Sequence, residues 1–361
     1  MADGRRNQKG AGLIMKALLL QEYNHLIYTN VPDPEICDPD DVIVAVKACG
    51  ICGSDVAGFR GRTGRRIPPA IMGHECTGVV TRKGSAVTDY EIGDRVVISA
   101  SQFCGKCDMC LSGRTNMCRH HKVLGISCKD YKLQGAYAEY VRVPAQTIFH
   151  LPDHVSMTEG ALLEPLANAV HAAVSLSREA IKTPVVVYGC GTIGLMVVQV
   201  LRAYNCPRII VVDQFPEKLD IARSLGAHFT INSAETEAVA KVHELTEGQG
   251  VNLCIECVGI EATVRNALAC VRTGGYLSVV GLLDPEIRLP MQNIVTGEVT
   301  VRGNFVYTAD DFHESMRLLE ENKIDTGILI SDVMRLEDGP EAFERLTSGK
   351  EILVKIILTT T

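Results

Sequence analysis

The chain of 361 residues contains no tryptophan, and only 5% of its residues are aromatic. Proteins that bind single-stranded nucleic acid stack its bases on aromatic side chains, so this composition argues against that class. An excess of positive charge is also missing, because 43 acidic residues outnumber 36 basic ones and the net charge is −7. Nucleic acid and anionic membrane surfaces attract basic proteins, and we therefore expect neither as a partner.

Long apolar runs are absent as well. No stretch reaches the roughly 18 apolar residues needed to cross a bilayer. No apolar segment follows the arginine pair near the N-terminus, so a secretory signal is not expected. Residues 1–14 are predicted to form a disordered extension. Fourteen cysteines in a chain without a signal indicate a reducing compartment, so we expect a cytoplasmic protein whose thiols serve metals and cores.

The length predicts about two domains, and residues 15 to about 150 have the pattern of a β-rich one. Residues 42–46 and 95–98 are short runs of β-branched side chains, which favour strands. Gly93 and Asp94 precede the second run as a turn. No long helical periodicity occurs here, which predicts an antiparallel, barrel-like domain.

Three candidate metal ligands lie in the stretch 49–75, CGICGSDVAGFRGRTGRRIPPAIMGHE, at Cys52, His74 and Glu75. A thiolate, an imidazole and a carboxylate suit Zn²⁺, which accepts sulfur, nitrogen and oxygen ligands. Three protein ligands leave a fourth position open, which is typical of a catalytic zinc. Taken singly, the cysteine could be an ordinary buried side chain and the His-Glu pair an ordinary surface pair.

A second cluster has the spacing C-x2-C-x2-C-x7-C, formed by Cys104, Cys107, Cys110 and Cys118. Four thiolates complete a tetrahedral shell and leave no site for water, which predicts a structural zinc. Chance clustering and an iron–sulfur cluster are the alternatives. Such a zinc would hold together a surface lobe that is too polar to form its own core.

The composition shifts near residue 150, and residues 159–177 are predicted to form one helix. Glu164, followed by Pro165, is an acidic residue in an otherwise apolar stretch. A buried carboxylate needs a partner, which could be a group at the metal site. The alternative is a carboxylate at a helix start, favoured there by the helix dipole.

A strand-like run at 185–188 is followed by the glycine pattern of Gly189, Gly191 and Gly194, and then by a helical pattern. The next predicted strand ends in Asp213. A strand, this glycine loop, a helix and a later acid together form a dinucleotide-binding fingerprint. The pyrophosphate is expected at the helix N-terminus. Asp213 can bind ribose hydroxyls and would repel a 2′-phosphate, which favours NAD over NADP. Further strands are predicted at 228–231, 251–255, 276–280 and 352–358, with a helix at 312–322.

Together with GAYAEY at 135–140 and EPLANAVHA at 164–172, these motifs make the chain similar to the zinc-dependent medium-chain dehydrogenases, from residue 15 onward. The sorbitol (polyol) and threonine dehydrogenase branch is the most similar. The resemblance implies an α/β protein with a GroES-like β-rich catalytic domain and a Rossmann domain with a doubly wound parallel sheet. The implied ranges are 15–163 for the catalytic domain, 164–303 for the NAD-binding domain and 304–361 for the return to the catalytic domain.

The resemblance also implies a function: transfer of a hydride from a secondary alcohol or polyol, possibly phosphorylated, to NAD, with one catalytic and one structural zinc. It places Glu164 beside Cys52, His74 and Glu75 and gives Ser54 the role of passing on the alcohol proton. The cofactor-contacting positions that it implies are Ile193, Asp213, Lys218, Val280, Leu282 and Asn304. Relatives are dimers or tetramers, so a homodimer or homotetramer that acts on a small alcohol is expected.

The sequence leaves three alternatives open. The first is oxidation of L-threonine or butanediol instead of a polyol. The second is a zinc- and NAD-binding protein without catalysis, against which the intact ligand set argues. The third is a redox role for the thiols of Cys49 and Cys52, which are separated by two residues.

The chain departs from the polyol pattern at three positions. Ala57 stands where the family often has a histidine of the proton relay, Gly58 where it often has an aromatic residue, and Val306 where an arginine precedes Tyr307. A group of arginines follows Gly58, at positions 60, 62, 65 and 66. Guanidinium groups suit phosphate, so Arg60, Arg62, Arg65 and Arg66 either hold an anionic substrate or form a solvated loop.

Overall fold

The computed structural model describes residues 14–360. The predicted disordered extension therefore lies outside the described residues, apart from Ile14, which begins the first strand. Within the described range, no helix is long and apolar enough to cross a membrane.

The N-terminal part of the chain is rich in strands. The first ten strands are β1 (Ile14–Glu22), β2 (His25–Pro32), β3 (Asp41–Gly50), β4 (Ala70–Ile71), β5 (Glu75–Lys83), β6 (Arg95–Ile98), β7 (Ser101–Gln102), β8 (Lys122–Val123), β9 (Tyr140–Pro144) and β10 (Ile148–His150). Their pairings with one another are antiparallel. Alternate residues of β3 point into one apolar core, as Val42, Val44 and Val46 do.

The last two strands, β17 (Ile330–Arg335) and β18 (Lys355–Thr359), return to this β-rich part. The seven-stranded sheet runs β10-β6-β5-β3-β18-β17, with β9 also on β3. Strand β18 pairs with the C-terminal end of β3. The chain's last strand therefore lies directly beside the segment that leads into Cys52.

The parallel sheet is formed by β11 (Val185–Tyr188), β12 (Ile209–Asp213), β13 (Phe229–Asn232), β14 (Val251–Glu256), β15 (Val271–Val279) and β16 (Thr300–Gly303). Its order is β13-β12-β11-β14-β15-β16, which is that of a doubly wound dinucleotide-binding fold. Val185 and Val187 contact one core, and Val186 and Tyr188 contact another. Both faces of the sheet are covered, which explains the continuous apolar run in the sequence.

The helices are α1 (Gly53–Phe59), α2 (Asp108–Leu111), α3 (Met157–Gly160), α4 (Leu163–Val174), α5 (Thr192–Ala203), α6 (Pro216–Ser224), α7 (Ala238–Leu245), α8 (Glu261–Cys270), α9 (Met291–Thr296), α10 (Ala309–Glu320) and α11 (Gly339–Ser348). The core on one side of the parallel sheet is built largely from the apolar residues of α4, α5 and α10.

Several predicted elements differ from the structure in their bounds. The strand predicted at 276–280 is β15, which begins at Val271 and ends at Val279. The helix predicted at 312–322 is α10, which begins at Ala309 and ends at Glu320. The predicted helix at 159–177 is two helices, α3 and α4, separated at residues 161–162. Pro165 occupies the first turn of α4. The N–H groups of a first turn have no acceptor within the helix, so proline costs no hydrogen bond there and favours a helix start. The last strand begins at Lys355 and not at residue 352, because Ser331 Oγ accepts a hydrogen bond from Val354 N in place of a ladder contact.

Candidate active site

The candidate metal site forms where the end of β3 meets the start of β5. Gly50 and Glu75 are directly opposite each other in this antiparallel pair. An added Cβ at Gly50 would lie 2.2 Å from Glu75 Oε2, so only glycine leaves room for this carboxylate. His74 follows Gly73, whose φ of +95° favours glycine. Cys52 is the N-cap of α1, where its sulfur accepts hydrogen bonds from Ser54 N at 3.5 Å and Ser54 Oγ at 3.3 Å.

The structure brings together three of the predicted ligands. One donor atom from each of Cys52, His74 and Glu75 lies within 4.8 Å of the others. His74 and Glu75 are buried and Cys52 is half-buried. His74 Nδ1 is buried, and no described residue forms a hydrogen bond with it. One sulfur, one nitrogen and one oxygen donor at these separations fit a zinc ion.

Asp55 lies behind His74. Its Oδ2 is 3.3 Å from His74 Nδ1, close enough for an ion pair but not aligned as a hydrogen bond. Tyr137 donates to the same oxygen at 2.9 Å. Burial raises the pKa of Asp55, but the charges of His74 and Arg66 outweigh it and hold the pKa below its usual range. A carboxylate that contacts a ligating histidine orients its ring and raises its basicity.

Lys355 is the positively charged partner of Glu75. Its Nζ donates to Glu75 Oε1 at 2.9 Å and Oε2 at 2.6 Å. Burial lowers the pKa of Lys355, but Glu75 and Cys52 raise it above its ordinary value. Neither Asp55 nor Lys355 was assigned a role from the sequence. The available signal for Lys355 was a single charge within the apolar run 352–358.

Glu164, which the resemblance places beside these ligands, is not among the three residues whose donor atoms lie within 4.8 Å of one another. It is buried at the start of α4, and Asn168 donates to its Oε1 at 3.3 Å. Burial raises the pKa of the Glu164 carboxyl to about 7, against a lowering by His74. His74, Glu75 and Lys355 all influence this pKa, so Glu164 lies near the candidate metal site.

A cleft of about 690 Å³ runs from the candidate metal site to the parallel sheet. Cys52 and Ser54 line one end of it. The predicted cofactor residues that line it are Gly189, Gly191, Ile193, Asp213, Lys218, Val280 and Leu282. The other two predicted positions, Gly194 and Asn304, do not.

Gly194 and Asn304 support residues that line the cleft. An added Cβ at Gly194 would lie 1.8 Å from Gly189 O, so this glycine allows α5 to pack closely on the loop. The side chain of Asn304 donates to Ser278 Oγ at 2.8 Å and to Val279 O at 3.2 Å. It thereby holds the end of β15, which is followed by Val280 at the cleft.

The glycine loop fits a dinucleotide. Nothing lies within 4 Å of an added Cβ at Gly191, so the space at the N-terminus of α5 is open. Asp213 Oδ2 accepts a hydrogen bond from Cys190 N at 2.6 Å, and its Oδ1 accepts one from Phe215 N at 3.0 Å. These bonds fix the carboxylate at the end of β12, at the edge of the cleft.

The four clustered cysteines also meet. The Sγ–Sγ distances are 3.6 Å for Cys107–Cys110, 3.9 Å for Cys107–Cys118 and 4.0 Å for Cys104–Cys110. Zinc–sulfur bonds of about 2.3 Å in a tetrahedron give sulfur–sulfur edges of about 3.8 Å, so this cage fits zinc. Hydrogen bonds from the N–H groups of Arg119 and Cys110 lower the pKa of the Cys107 thiol to about 6. All fourteen cysteines are free.

The four arginines after Gly58 have separate surroundings. Arg60 donates to Thr347 O at 2.7 Å, Arg65 lies 5.6 Å from the centre of the Phe305 ring, and Arg66 is buried against Asp55. Arg62 is exposed. None of the four lines the cleft, so the structure does not group them around one anion.

Comparison with known families identifies the class. Residues 38–153 match the alcohol dehydrogenase GroES-like domain, and residues 192–321 match the zinc-binding dehydrogenase domain. A sorbitol dehydrogenase from Bacillus subtilis (strain 168) is 34% identical over 348 residues, which cover 95% of this chain and 97% of that protein. A probable D-xylulose reductase A from Aspergillus clavatus is 34% identical over 346 residues, with 93% and 94% covered.

Solved structures agree with this result. A zinc-binding dehydrogenase from Sinorhizobium meliloti 1021 bound to NADP has a TM-score of 0.87 at 30% identity, covering 96% of this chain and 99% of that one. Galactitol-1-phosphate dehydrogenase from Escherichia coli has a TM-score of 0.87 at 28% identity, with 96% and 100% covered. The 2R,3R-butanediol dehydrogenase from Bacillus subtilis has a TM-score of 0.84 at 29% identity, with the same coverage.

The chain belongs to the zinc-dependent medium-chain dehydrogenases, in the polyol dehydrogenase group. It is an oxidoreductase that uses zinc and a nicotinamide cofactor. The predicted fold class, a GroES-like domain with a Rossmann domain, is confirmed.

Proposed function

We propose that this chain oxidises a secondary alcohol or polyol, with NAD as the hydride acceptor. The observation that supports it most directly is that Cys52, one of three grouped ligand candidates, lines the same cleft as Gly191 and Asp213. A substrate held at the first group and a cofactor held at the second would therefore share one cleft. When bound, zinc acts as a Lewis acid on the alcohol oxygen, and the nicotinamide accepts the hydride.

The protein side chains have distinct roles in this proposal. Cys52, His74 and Glu75 hold the metal, and Glu164 stays nearby as a buried carboxyl. Ser54 is exposed to the cleft and passes on the proton that the alcohol loses. Ala57, which also lines the cleft, has no group that could carry this proton further.

Two zincs per chain and NAD in preference to NADP are part of the proposal. The four-cysteine cage supports the second zinc, because its sulfur separations fit a closed tetrahedron. The fixed carboxylate of Asp213 supports NAD, because a 2′-phosphate at this position would meet a negative charge. A solved relative binds NADP, and the ratio of kcat/KM for the two cofactors measures the preference of this chain.

We propose an unphosphorylated substrate. Arg60, Arg65 and Arg66 each contact a different part of the protein, so they form no cluster at the cleft. This supports a substrate without a phosphate group. Tyr307 does not line the cleft either, and its hydroxyl accepts a hydrogen bond from Ala100 N at 3.0 Å. Butanediol is the second candidate substrate, favoured by the apolar lining of Ala57 and Leu283.

A redox role for Cys49 receives no support. The thiol of Cys49 is buried, and burial together with Cys76 raises its pKa well above the ordinary value. Reactive thiols have lowered pKa values and accessible sulfur atoms. We propose that Cys49 is a packing residue of β3.

We further propose a cytoplasmic homo-oligomer. The order of the parallel sheet ends at β16, so this strand has an outer edge without a strand partner among residues 14–360. Val301 on β16 and Met291 and Val295 on α9 are exposed apolar side chains. Unpaired strand edges are normally covered, and a second copy is the partner we propose at this edge.

The first experiment is a substrate panel. NADH formation is measured with secondary alcohols, 2,3-butanediol, polyols, their phosphates and L-threonine, and the zinc content is measured on the same sample. We expect turnover on one alcohol class with about two zincs per chain. The variant Cys52→Ser should lose this activity, while Cys37→Ser, at an exposed cysteine, should keep it. Bound zinc and NAD without turnover on any class would favour the non-catalytic alternative.

A further inference from the structure

Arg66 is a buried cation beside the candidate metal site. Its side chain is only 3% exposed, whereas the nearby Arg62 and Arg65 are exposed. A buried charge is stable only when partners satisfy it. Arg66 is therefore not part of a solvated loop, and its partners indicate what it does.

The side chains that bind Arg66 belong to α1, and its Nη1 also donates to Arg65 O at 3.2 Å. Arg66 Nε and Nη2 lie 2.9 and 2.7 Å from Asp55 Oδ1. Nη2 is also 3.4 Å from Ser54 Oγ. Because both nitrogens contact one oxygen of Asp55, the other oxygen remains available to Tyr137 and His74. Asp55 thus connects Arg66 to a candidate metal ligand.

Gly58 provides the space for this arrangement. Asp55 and Gly58 are the two buried residues of α1, and three positions along a helix place them on one face. An added Cβ at Gly58 would lie 2.1 Å from Arg66 Cγ and 2.8 Å from Arg66 Cβ. Any larger residue at position 58 would therefore collide with the stem of the arginine.

Arg66 also constrains the hydroxyl of Ser54. Among the described residues, Ser54 Oγ has two polar partners, Cys52 Sγ at 3.3 Å and Arg66 Nη2 at 3.4 Å. A guanidinium group has five donors and no acceptor. Ser54 can therefore only accept from Arg66, and its own O–H must point away from it, toward Cys52 or into the cleft.

We propose that Arg66 is a positioning residue of the zinc site, admitted by Gly58. It fixes Asp55 beside His74 and, by donating to Ser54 Oγ, leaves the Ser54 O–H to point toward Cys52 or into the cleft. This role rests on the proposed function, since Ser54 must receive the proton of the alcohol. The proposed role explains together two residues that had no evident connection in the sequence, Gly58 and Arg66.

The test compares Arg66→Met and Arg66→Lys with Arg62→Met as the matched control. Zinc release is followed with a chromogenic chelator, and the phase from the catalytic site is identified by its absence in Cys52→Ser. We expect Arg66→Met to release this zinc at least about tenfold faster, since mutation of residues that support metal ligands lowers metal affinity by about 10–100-fold. Its kcat should fall by a similar factor at unchanged KM for NAD. Arg66→Lys should recover part of both losses, and Arg62→Met should match the wild type.

A double-mutant cycle with Gly58→Ala separates positioning from general packing. If Gly58 serves only to admit Arg66, then Gly58→Ala should resemble Arg66→Met, and the double variant should be no worse than Arg66→Met alone. Additive effects, or an Arg66→Met variant with wild-type zinc release and kcat, would overturn the inference. If the wild-type protein holds no zinc and shows no turnover, the proposed function is refuted instead.

Discussion

The ammonium group of Lys355 donates hydrogen bonds to both carboxylate oxygens of Glu75, at 2.9 and 2.6 Å. Both side chains are almost fully buried. Lys355 also donates to Ile51 O at 2.9 Å. Strand β18 is thus hydrogen-bonded to residues that precede and follow Cys52 in the sequence. Burying the charges of Lys355 and Glu75 costs desolvation energy, and this cost is offset only while both charges are present.

Replacing Lys355 with methionine leaves the Glu75 carboxylate buried without its counter-ion. We expect Lys355→Met to lower the free energy of unfolding of the metal-free protein by about 3–5 kcal/mol, as is usual when one partner of a buried ion pair is removed. A cation held by Cys52, His74 and Glu75 offsets part of this loss. Urea unfolding of the metal-free and zinc-loaded forms measures both values.

Lys350→Met is the matched control, because Lys350 is exposed. Exposed substitutions usually change the free energy of unfolding by no more than about 0.5 kcal/mol. An equal loss for Lys355→Met with and without zinc would contradict the view that Lys355 balances the metal site.

The pairing of α4 with α10 depends on pH through Asp311. Its Oδ2 accepts hydrogen bonds from His171 Nδ1 at 2.7 Å and Thr308 N at 2.8 Å. Burial raises the pKa of Asp311, but the bonds from His171 and Thr308 outweigh it and leave the pKa below its ordinary value of 3.8. A carboxyl with a depressed folded-state pKa adds stability above its unfolded pKa, and this stability is lost as the pH falls through the folded-state pKa.

We expect Asp311→Asn to lower the free energy of unfolding at pH 7 by about 1–3 kcal/mol, the usual cost of leaving buried donors poorly satisfied. The difference from the wild type should shrink as the pH is lowered below 3.8. Asp310→Asn is the control, since this exposed neighbour shares the first turn of α10. A difference that stays constant from pH 7 to pH 3 would show that the charge of Asp311 is not responsible.

Cys107→Ser tests the four-cysteine cage. We expect the zinc content to fall from about two to about one per chain, and the Tm to fall by about 5 °C or more, because a structural zinc contributes directly to folding. Cys128→Ser is the control, at a half-buried cysteine outside the cage. Full zinc content in Cys107→Ser would rule out this cage as the second site.

The cage also has contacts with the other end of the chain. Thr115 and Asn116 lie between Cys110 and Cys118. Thr115 Oγ1 accepts a hydrogen bond from Ala309 N at 2.9 Å, and Asn116 donates to Phe305 O at 2.9 Å. Residues 305–309 lead from the parallel sheet to α10, so loss of zinc from Cys107→Ser should loosen this connection as well.

The sequence predicted the parts of the site that are close together in the chain. His74 and Glu75 are adjacent, and the glycines of the cofactor loop lie within six residues. Such motifs carry their geometry locally, because one turn fixes all their members. The strand, glycine loop and helix predicted dinucleotide binding in the same local way, and the doubly wound parallel sheet was implied by the family resemblance that these motifs carry.

The sequence could not predict contacts that depend on distant elements. Lys355 and Glu75 are 280 residues apart, and only the pairing of β18 with β3 brings them together. The four arginines after Gly58 look alike in sequence. Which of them is buried depends on the space beside one glycine of α1, and that space exists only in the folded chain.

The cofactor preference can be tested at Asp213. We expect Asp213→Asn to raise the ratio of kcat/KM for NADP to that for NAD at least tenfold, which corresponds to about 1.4 kcal/mol. Asparagine keeps one oxygen that can accept from Cys190 N or Phe215 N, so the loop retains part of its support while the negative charge is removed. Asp220→Asn, on the exposed side of α6, should leave the ratio unchanged. If Asp213→Asn still binds NAD and the ratio does not move, another residue must set the preference, because a charge at the end of β12 would then have no effect on a 2′-phosphate.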